Sequence, residues 1–517
     1  MRCLLVRVGS KSYSLASYSK ITGQMVRTSS SSLSNNPLVT DKAFIDGKWV
    51  EARNKVTFEV SDPATGDCLG NVPDMSASDT LKAIDAAKKA QRGWAATPLK
   101  ERSGMLMRVK QLVDEHSEML AEIMTLESGK PIAESRGEVK YGNSFFEWFA
   151  EEAKRIRGDI LLHPIKRDSR YLIVRQPVGV AALITPWNFP LAMITRKAGA
   201  ALAAGCSVVI KPAEDTPLTA LAMAKIVEKA KLPSGVFNVV TCSRSNIEEV
   251  GDTLCKSKDV RKLSFTGSTA VGKHLYSLCS STVKRISLEL GGNAPFIVFN
   301  SADVDNAIAG AMSSKFRNTG QTCVSTNRIF VQSTIYDTFC SKLSEAVKKL
   351  KCGPGIDPTS SLGPLINNRA VIKVKEHVDD AVSRGASVKV GGAPATELGP
   401  NFFHPTLITD VPKDALVHRD ETFGPMAAVT KFETEEEVIE MANSVDVGLA
   451  GYVYSSNAAQ IFRVSEALQF GMVGVNEGII SSELAPFGGL KESGIGREGS
   501  IYGIEDYLDL KYINLNF

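Results

Sequence analysis

Residues 262–279 read Lys-Leu-Ser-Phe-Thr-Gly-Ser-Thr-Ala-Val-Gly-Lys-His-Leu-Tyr-Ser-Leu-Cys, and this stretch decides the fold. Lys262–Phe265 has the composition of a short strand, and Ala270–Cys279 has the apolar spacing of a helix. Gly267, Ser268 and Thr269 form the turn between this strand and this helix, and Gly272 lies in the first turn of the helix. A glycine turn at a helix N-terminus offers free N–H groups to a phosphate. The turn lacks the G-x-G-x-x-G fingerprint, so an ordinary strand-to-helix connection remains an equal alternative.

Strands and helices alternate on both sides of this unit. Apolar strand-like runs occur at Val180–Ile184, Ser207–Ile210, Val236–Val240 and Arg285–Leu290, and helical spacing occurs at Leu218–Lys231 and Asn246–Lys256. This alternation predicts an α/β fold with a doubly wound parallel sheet that binds a nucleotide. A second alternating region starts at Pro295–Phe299 and predicts a second α/β unit with its own core.

The terminal segment Tyr507–Phe517 alternates apolar and polar residues, as a strand does. No hairpin partner is nearby in the sequence, so this strand needs a sheet edge elsewhere, and pairing across subunits is one solution. We therefore predict an oligomer. Two other segments, Phe44–Val50 and Leu161–Val178, are each strand-like.

Length and charge exclude several classes of protein. A chain of 517 residues predicts about three domains. Its 60 basic and 57 acidic residues nearly balance, so bulk charge gives no support to a nucleic-acid or anionic-membrane partner. No run of 18 or more apolar residues occurs, so we expect no membrane-spanning helix.

The N-terminus has a different composition from the rest of the chain. Residues 1–40 contain five basic residues, ten serines and no acidic residue. This pattern is typical of a mitochondrial transit peptide, which we assign to residues 1–36, with a matrix location for the protein. A disordered tail without function is the alternative.

The nine cysteines and six histidines are scattered, with no C-x-x-C pair. Metal sites need ligands at short spacings, so we predict no metal site. Most of these cysteines are expected to be small core residues, and at most one or two should carry chemistry.

Lys211 and Glu214 follow a predicted strand, at the edge where doubly wound sheets bind ligands. A carboxylate there can accept hydrogen bonds from ribose hydroxyls and would repel a 2′-phosphate. Glu214 therefore favours NAD over NADP. A surface charge pair is the alternative.

Three residues could carry covalent catalysis. Glu289 ends an apolar strand, where burial should raise its pKa and suit it to act as a general base. Cys323, in a tight Gly-Gln-Thr-Cys loop, could be a nucleophile. Asn188, between two aromatic residues and two prolines, could donate to an oxyanion. Each has a structural alternative: a solvated loop residue, a core cysteine and a turn residue.

The combination of these strings resembles the aldehyde dehydrogenase superfamily from about Asp41 to Phe517. The strings that carry the resemblance are Ile184–Pro190, Lys211–Pro217, Phe265–Lys273, Leu288–Gly292, Gly320–Cys323, Glu421–Pro425 and Pro486–Gly494. The resemblance implies that NAD is bound by Thr185, Pro186, Trp187, Lys211, Glu214, Gly267, Ser268, Thr269, Gly272, Leu290, Glu421 and Phe423.

The resemblance also implies the chemistry. Cys323 attacks the aldehyde, and the oxyanion is held by Asn188 and the Cys323 N–H. Hydride passes from the thiohemiacetal to NAD, and Glu289 activates the water that hydrolyses the thioester. A cysteine hydrolase would need a histidine base near a matching motif, and a CoA-acylating dehydrogenase typically lacks the glutamate base. A non-catalytic protein on this fold should have lost the cysteine or the glutamate.

Two arginines beside the reactive loops narrow the substrate. Arg196 follows the loop of Asn188, and Arg317 lies six residues before Cys323. Guanidinium groups suit a carboxylate. With Ser481, these residues resemble the succinate-semialdehyde dehydrogenase branch, which implies oxidation of succinate semialdehyde to succinate in 4-aminobutyrate degradation. Glutarate-semialdehyde and broad-range aldehyde dehydrogenases are the alternatives.

Many members of that branch have a second cysteine two residues after the nucleophile, and here that position is Ser325. We therefore expect no disulfide switch between positions 323 and 325. The expected organisation is a NAD-binding domain over 41–157 and 180–290, a catalytic domain over 291–485 and a small β oligomerisation arm over 158–179 and 500–517. The resemblance implies a homotetramer.

Overall fold

The computed structural model describes residue 33 and residues 35–517, so the predicted leader lies almost wholly outside the described residues. The strands are β1 Ala43–Ile45, β2 Lys48–Val50, β3 Thr57–Ser61, β4 Cys68–Pro73, β5 Asp159–Leu162, β6 Ser169–Pro177, β7 Val180–Ile184, β8 Ser207–Lys211, β9 Phe237–Val239, β10 Val260–Thr266, β11 Arg285–Glu289, β12 Ala294–Val298, β13 Thr326–Gln332, β14 Ser387–Val390, β15 Thr406–Thr409, β16 Met426–Phe432, β17 Val447–Gly448, β18 Ala450–Tyr454, β19 Met472–Val475, β20 Leu490–Lys491, β21 Gly494–Ile495 and β22 Leu508–Asn516.

The helices lie between these strands and after them. They are α1 Ala77–Ala96, α2 Leu99–Glu115, α3 Ser117–Ser128, α4 Ile132–Glu152, α5 Ala192–Ala204, α6 Pro217–Lys229, α7 Ile247–Lys256, α8 Thr269–Cys279, α9 Val304–Phe316, α10 Tyr336–Val347, α11 Asn368–Ser383, α12 Glu435–Asn443, α13 Ala458–Ala467 and α14 Ser500–Glu505.

The first sheet has the strand order β2-β1-β9-β8-β7-β10-β11-β21, and its central strands β9, β8, β7, β10 and β11 run parallel. The chain builds outward from β7 through β8 to β9, and then returns to the other side of β7 with β10. The strand order therefore reverses between β7 and β10, and such a switch point leaves a ligand crevice at the carboxyl ends of the strands. The predicted doubly wound sheet is confirmed.

The second sheet has the order β14-β15-β16-β13-β12-β18-β19, parallel except for β14. It has its own apolar core, as predicted. Only four residues connect β11 of the first sheet to β12 of the second. The carboxyl edge of the first sheet therefore lies next to the amino edge of the second.

Two strand-like segments are hairpins rather than single strands. The segment Phe44–Val50 contains β1 and β2, which pair antiparallel around Asp46 and Gly47. Both turn residues have positive φ, at 55° and 69°, which is the backbone that an Asp-Gly hairpin turn adopts. The segment Leu161–Val178 includes the end of β5 and all of β6, which pair antiparallel.

The terminal strand β22 finds its partner within the chain. It pairs antiparallel with β6 over nine residues, from Leu508 opposite Pro177 to Asn516 opposite Ser169. The distant sheet edge that the sequence predicts is therefore β6 of the same chain, and β22 does not need an edge on another subunit for its pairing. The partner lies more than three hundred residues earlier, and the alternating pattern does not reveal so distant a pairing.

Helix α5 was not predicted from the sequence, and neither were α13, β14, β15 and β19. All thirteen residues of α5 are buried, so the helix shows no alternation between a polar and an apolar face. Its charged residues Arg196 and Lys197 lie inside the protein, where they need partners.

Within residues 35–517, no helix is long and apolar enough to cross a bilayer.

We predict that Gly320→Ala destabilises the protein, because the loop before Cys323 has no room for a side chain. Gly320 has a φ of +74°, and an added Cβ would lie 2.1 Å from the carbonyl oxygen of Gly424. We expect a loss of about 2–4 kcal/mol. The control is Gly104→Ala on α2, where nothing lies within 4 Å of an added Cβ and alanine should stabilise by about 0.5–1 kcal/mol. Thermal melting of both variants tests this, and equal melting temperatures would contradict it.

Candidate active site

A cleft of about 960 Å³ lies between the two sheets. It brings together ten of the predicted site residues: Pro186, Trp187, Asn188, Gly267, Ser268, Thr269, Leu290, Cys323, Glu421 and Phe423. These residues come from the carboxyl ends of β7 and β10 and from the loops that precede β12, β13 and β16. The cleft is therefore the crevice at the switch point of the first sheet, closed by the amino edge of the second.

Cys323 follows a strained turn. The tight 3₁₀ turn Arg317–Gly320 contains Asn318 and Thr319 with φ of 51° and 55°, a left-handed conformation that costs energy in residues with side chains. The Asn318 N–H donates to Glu134 at 2.7 Å and holds this turn in place. Burial raises the pKa of the Cys323 thiol to about 12, although Arg196 and Arg317 lower it.

The Asn188 side chain lies beside the nucleophile loop. Its Nδ2 donates to the carbonyl oxygen of Gln321 at 2.9 Å, two residues before Cys323. A side-chain amide carries two N–H donors, so one donor remains for a ligand. The carbonyl oxygen of Asn188 accepts from Lys130 Nζ at 2.6 Å and from Asn318 Nδ2 at 3.0 Å. The amide is thus fixed by its own backbone and by the neighbouring loop.

A buried ion pair holds the loop that carries Asn188. Lys130 Nζ pairs with Glu138, and both side chains are almost completely buried. The other carboxylate oxygen of Glu138 accepts from the N–H groups of Leu191 and Ala192 at 3.0 and 3.1 Å. A carboxylate at the start of α5 is favoured by the helix dipole. Sequence reasoning missed Lys130 and Glu138.

Glu289 lies at the end of β11 and is 2% exposed. Neither of its carboxylate oxygens has a hydrogen-bond partner within the described part of the chain. Burial and the nearby Glu498 raise the pKa of Glu289 well above its ordinary value. The predicted direction of this shift is confirmed, and a carboxylate in this state can accept a proton from water.

One side of the Arg196 guanidinium is paired with a buried carboxylate, which the sequence analysis did not identify as a site residue. Glu498 accepts from Arg196 Nε and from Lys197 Nζ. Although burial opposes ionisation, these two cations hold the pKa of Glu498 at about 2. The Arg196 guanidinium lies 4.1 Å from the ring centroid of Phe487, and its Nη2 has no partner within residues 35–517. One end of the guanidinium fork therefore remains available.

Arg317 and Ser481 make fewer contacts. The Arg317 guanidinium lies 5.6 Å from the centroid of the Phe189 ring and forms no ion pair with any described residue. Ser481 is partly buried in the segment that follows β19. Neither residue lines the cleft named above, and both remain predictions as substrate ligands.

The start of α8 forms one end of the cleft. Ser268 occupies the N-cap position of this helix and has an extended backbone, and the helix begins at Thr269. The first N–H groups of a helix have no acceptors within it and are available to an anion. Gly272 does not line the cleft, and an added Cβ there would lie 2.3 Å from the Leu290 side chain. Its role is close packing of the helix.

Glu421 and Phe423 are held by the buried residue between them. The Thr422 N–H donates to Asn327 Oδ1 at 3.0 Å, and its carbonyl oxygen accepts from Lys315 Nζ at 3.4 Å. Glu421 accepts from the Gly292 N–H, and its burial raises its pKa to about 7. The rings of Phe423 and Trp187 meet edge-on at 5.7 Å.

Lys211, Glu214 and Thr185 do not line the cleft. Lys211 Nζ donates to the Pro212 carbonyl oxygen at 3.0 Å. The Glu214 carboxylate lies 4.0 Å from Lys211 and 3.7 Å from Arg244, a cation that sequence reasoning missed. The Thr185 hydroxyl is buried and has no partner in the described region. All three remain predictions as cofactor ligands.

Known proteins resemble this chain over almost its whole length. The profile of the aldehyde dehydrogenase family matches residues 49–513. A glutarate-semialdehyde dehydrogenase of Pseudomonas aeruginosa is 54% identical, and a succinate-semialdehyde dehydrogenase [NADP(+)] of Escherichia coli is 53% identical, each alignment covering 93% of this chain and 99% of the relative. A mitochondrial succinate-semialdehyde dehydrogenase of Homo sapiens is 55% identical, covering 92% of this chain and 88% of the relative.

Solved structures share the fold. A succinate-semialdehyde dehydrogenase from Burkholderia pseudomallei has a TM-score of 0.92 and 52% identity, covering 93% of this chain and 99% of that one. A betaine aldehyde dehydrogenase from Staphylococcus aureus in complex with NAD+ has a TM-score of 0.89 and 36% identity, covering 92% and 95%. The site geometry, the profile match and these relatives agree, and the chain belongs to the aldehyde dehydrogenase family.

Proposed function

We propose that this protein oxidises succinate semialdehyde to succinate with NAD, through a covalent intermediate on Cys323. The choice of succinate semialdehyde as the substrate rests on two cations, which lack some of their hydrogen-bond or ion-pair partners. Arg196 Nη2 has no partner in the described residues, Arg317 has no ion pair there, and both lower the pKa of Cys323. An aldehyde that carries a carboxylate at its far end would fill this gap.

Residues of the cleft, together with Glu289 and the two arginines, which do not line it, support the reaction in sequence. Cys323 loses its thiol proton to water and attacks the aldehyde carbon as a thiolate, whose charge Arg196 and Arg317 stabilise against the burial that raises the pKa of the thiol. Asn188 Nδ2 and the Cys323 N–H donate to the oxygen that becomes negative. Bound NAD would accept the hydride from the substrate carbon and so leave a thioester on Cys323. Glu289 takes a proton from a water, which hydrolyses the thioester and releases the acid and the thiolate.

The cleft has the groups that a nicotinamide dinucleotide requires. The N-terminus of α8 at Ser268 can hold a pyrophosphate. The Glu421 carboxylate can accept from ribose hydroxyls, and Phe423 and Trp187 offer aromatic surface to a flat ring. In the described residues, no cluster of His, Cys, Asp or Glu is arranged to hold a metal ion.

The charge near the nucleophile favours an anionic substrate. Arg196 and Lys197 share the single carboxylate of Glu498, which leaves one positive charge in that buried cluster. Arg317 adds another. Because burial and Glu498 raise the pKa of Glu289, this carboxyl opposes an anionic substrate less than an ordinary carboxylate would. Ser481 is proposed to add a hydroxyl donor to the same carboxylate.

Glutarate semialdehyde is the second candidate, because the Pseudomonas aeruginosa relative is a glutarate-semialdehyde dehydrogenase at 54% identity. This substrate is one methylene longer and would use the same arginines. One methylene separates two substrates by only about 1–3 kcal/mol.

We propose NAD rather than NADP as the cofactor. Glu214 places a carboxylate between Lys211 and Arg244, so these two cations are already partly neutralised. A 2′-phosphate bound there would meet that negative charge. The Escherichia coli relative is named for NADP, so similarity to this relative does not decide between NAD and NADP.

We propose a homotetramer in the mitochondrial matrix. The sheet β22-β6-β5 leaves edges at β5 and β22, and Ile160, Leu161 and Leu162 of β5 are between 50% and 75% exposed. An apolar edge strand is a site for pairing with another subunit.

The mitochondrial human relative supports the proposed location in the mitochondrial matrix. Leu33 is buried in the core, so we propose that the removed leader ends before Leu33 and not at residue 36.

We predict that Arg317→Met lowers kcat/KM for succinate semialdehyde about a hundredfold, because a charge-assisted hydrogen bond to the carboxylate is lost. The rate for butanal, which has no carboxylate, should fall much less, because only the stabilisation of the Cys323 thiolate by Arg317 is lost. The control is Arg419→Met, which removes an arginine that does line the cleft and should preserve the ratio between the two aldehydes. Steady-state NADH formation measures both. An unchanged ratio in Arg317→Met would refute the carboxylate contact.

We predict that Glu289→Gln separates the two halves of the reaction. Steady-state turnover should fall by about 10²–10⁴, because the general base for hydrolysis is lost. A burst of about one NADH per Cys323 should remain. In the unmodified enzyme, the hydrolysis rate should rise with pH as Glu289 loses its proton at its raised pKa, and this rise should vanish in the variant. Stopped-flow absorbance measures the burst, and loss of the burst would contradict this role.

We predict that Glu214→Ser raises kcat/KM for NADP about tenfold and lowers it for NAD, because the carboxylate no longer opposes a 2′-phosphate beside Lys211 and Arg244. Initial rates with both cofactors measure the ratio. A preference for NADP in the unmodified enzyme would overturn the choice of NAD.

A further inference from the structure

Helix α4 presents one face to the active site. Glu134, Glu138 and Tyr141 are spaced four and three residues apart, so they lie in line along the helix. Glu134 holds the turn before Cys323, and Glu138 holds the loop of Asn188. Tyr141 is the next residue on this face, yet neither the proposed chemistry nor the sequence motifs give it a function.

Tyr141 lies where α4 packs against α5. An added Cβ at the next residue, Gly142, would lie 3.2 Å from Thr195 Oγ1 on α5, one residue before Arg196. One turn further along α4, Ser144 Oγ donates to Glu483 at 3.2 Å, in the segment that contains Ser481. These contacts bring the part of α4 that carries Tyr141 close to the segments that carry Arg196 and Ser481.

The Tyr141 hydroxyl is buried and forms no hydrogen bond of good geometry within residues 35–517, although Arg196 lies close enough to donate towards its oxygen. A buried hydroxyl without a partner is destabilising, so its presence calls for a reason. The ring packs edge-on against Phe145 at 5.1 Å, and a phenylalanine could make the same contact. Packing therefore accounts for the ring and leaves the hydroxyl unexplained.

The hydroxyl lies beside a second unpartnered donor. Tyr141 is adjacent to Arg196, whose Nη2 is also buried without a partner. Arg317 is close enough for its charge to lower the pKa of Tyr141. Burial raises the pKa of Tyr141 above its ordinary value, although Arg196 and Arg317 oppose this rise. The phenol therefore keeps its proton and can donate it in a hydrogen bond.

We propose that the Tyr141 hydroxyl donates a hydrogen bond to the carboxylate of the substrate, together with Arg196 and Arg317. A carboxylate accepts about four hydrogen bonds, so three side chains can share it. Tyr141 thereby selects aldehydes that end in a carboxylate over those that do not. This inference rests on the proposed function and extends it by one specificity-determining residue.

The test compares Tyr141→Phe with the unmodified enzyme on succinate semialdehyde and on butanal. We expect kcat/KM for the semialdehyde to fall about tenfold, mainly through KM, while both constants for butanal stay the same. The inhibition constant of succinate against butanal should rise by a similar factor, which measures carboxylate binding without turnover of the semialdehyde. Thermal melting of the variant reports its folding.

The matched control is Tyr454→Phe, because Tyr454 also has a buried hydroxyl without a partner. It stacks on Phe296 at 4.6 Å in the second sheet, and its removal should leave the ratio between the two aldehydes unchanged. Equal effects of Tyr141→Phe on both aldehydes, or no effect on either, would overturn the inference alone. If the unmodified enzyme itself does not prefer the semialdehyde to butanal, the proposed function and the inference both fail.

Discussion

The buried ion pair between Lys130 and Glu138 is the interaction on which the site depends. Two charges out of water are stable only when all their hydrogen-bonding positions are filled. Lys130 fills one position with the Asn188 carbonyl oxygen, and Glu138 fills its others with the first N–H groups of α5. The pair therefore fixes the proposed oxyanion donor and the start of the helix that carries Arg196. Removing either partner would leave the other buried and uncompensated.

Around this pair, the active site is built from groups that the fold leaves unsatisfied. Glu289, Arg196 Nη2 and the Tyr141 hydroxyl have no partners in the described residues, and the turn before Cys323 is strained at Asn318 and Thr319. Each of these features costs stability. Bound substrate would satisfy the donors, and a water would approach the base. These destabilised groups lie where the proposed reaction takes place, while the charges of Glu498 and Lys130 are paired.

Much of the fold could be predicted from the sequence. The strands β7, β8, β10 and β11 have uniform apolar runs with helices between them, and this pattern is specific for a doubly wound sheet. Helix α5 could not be predicted in this way, because a helix buried on every side has no periodic pattern. The pairing of β22 with β6 was also missed, since alternation shows that a strand exists and does not show its partner.

The sequence by itself predicted residues that meet in the cleft. Loops after strands of the first sheet carry Asn188 and Ser268, and loops before strands of the second sheet carry Cys323 and Glu421. The carboxyl ends of parallel strands share one edge, and the amino edge of the second sheet closes the cleft from the other side. The sequence also predicted the raised pKa of Glu289. Only the tertiary structure decided which charges are free. Arg196 and Lys197 are neighbours in sequence, but their shared carboxylate is Glu498, about three hundred residues away. Electrostatic partners are set by distance in space, and no local pattern records them.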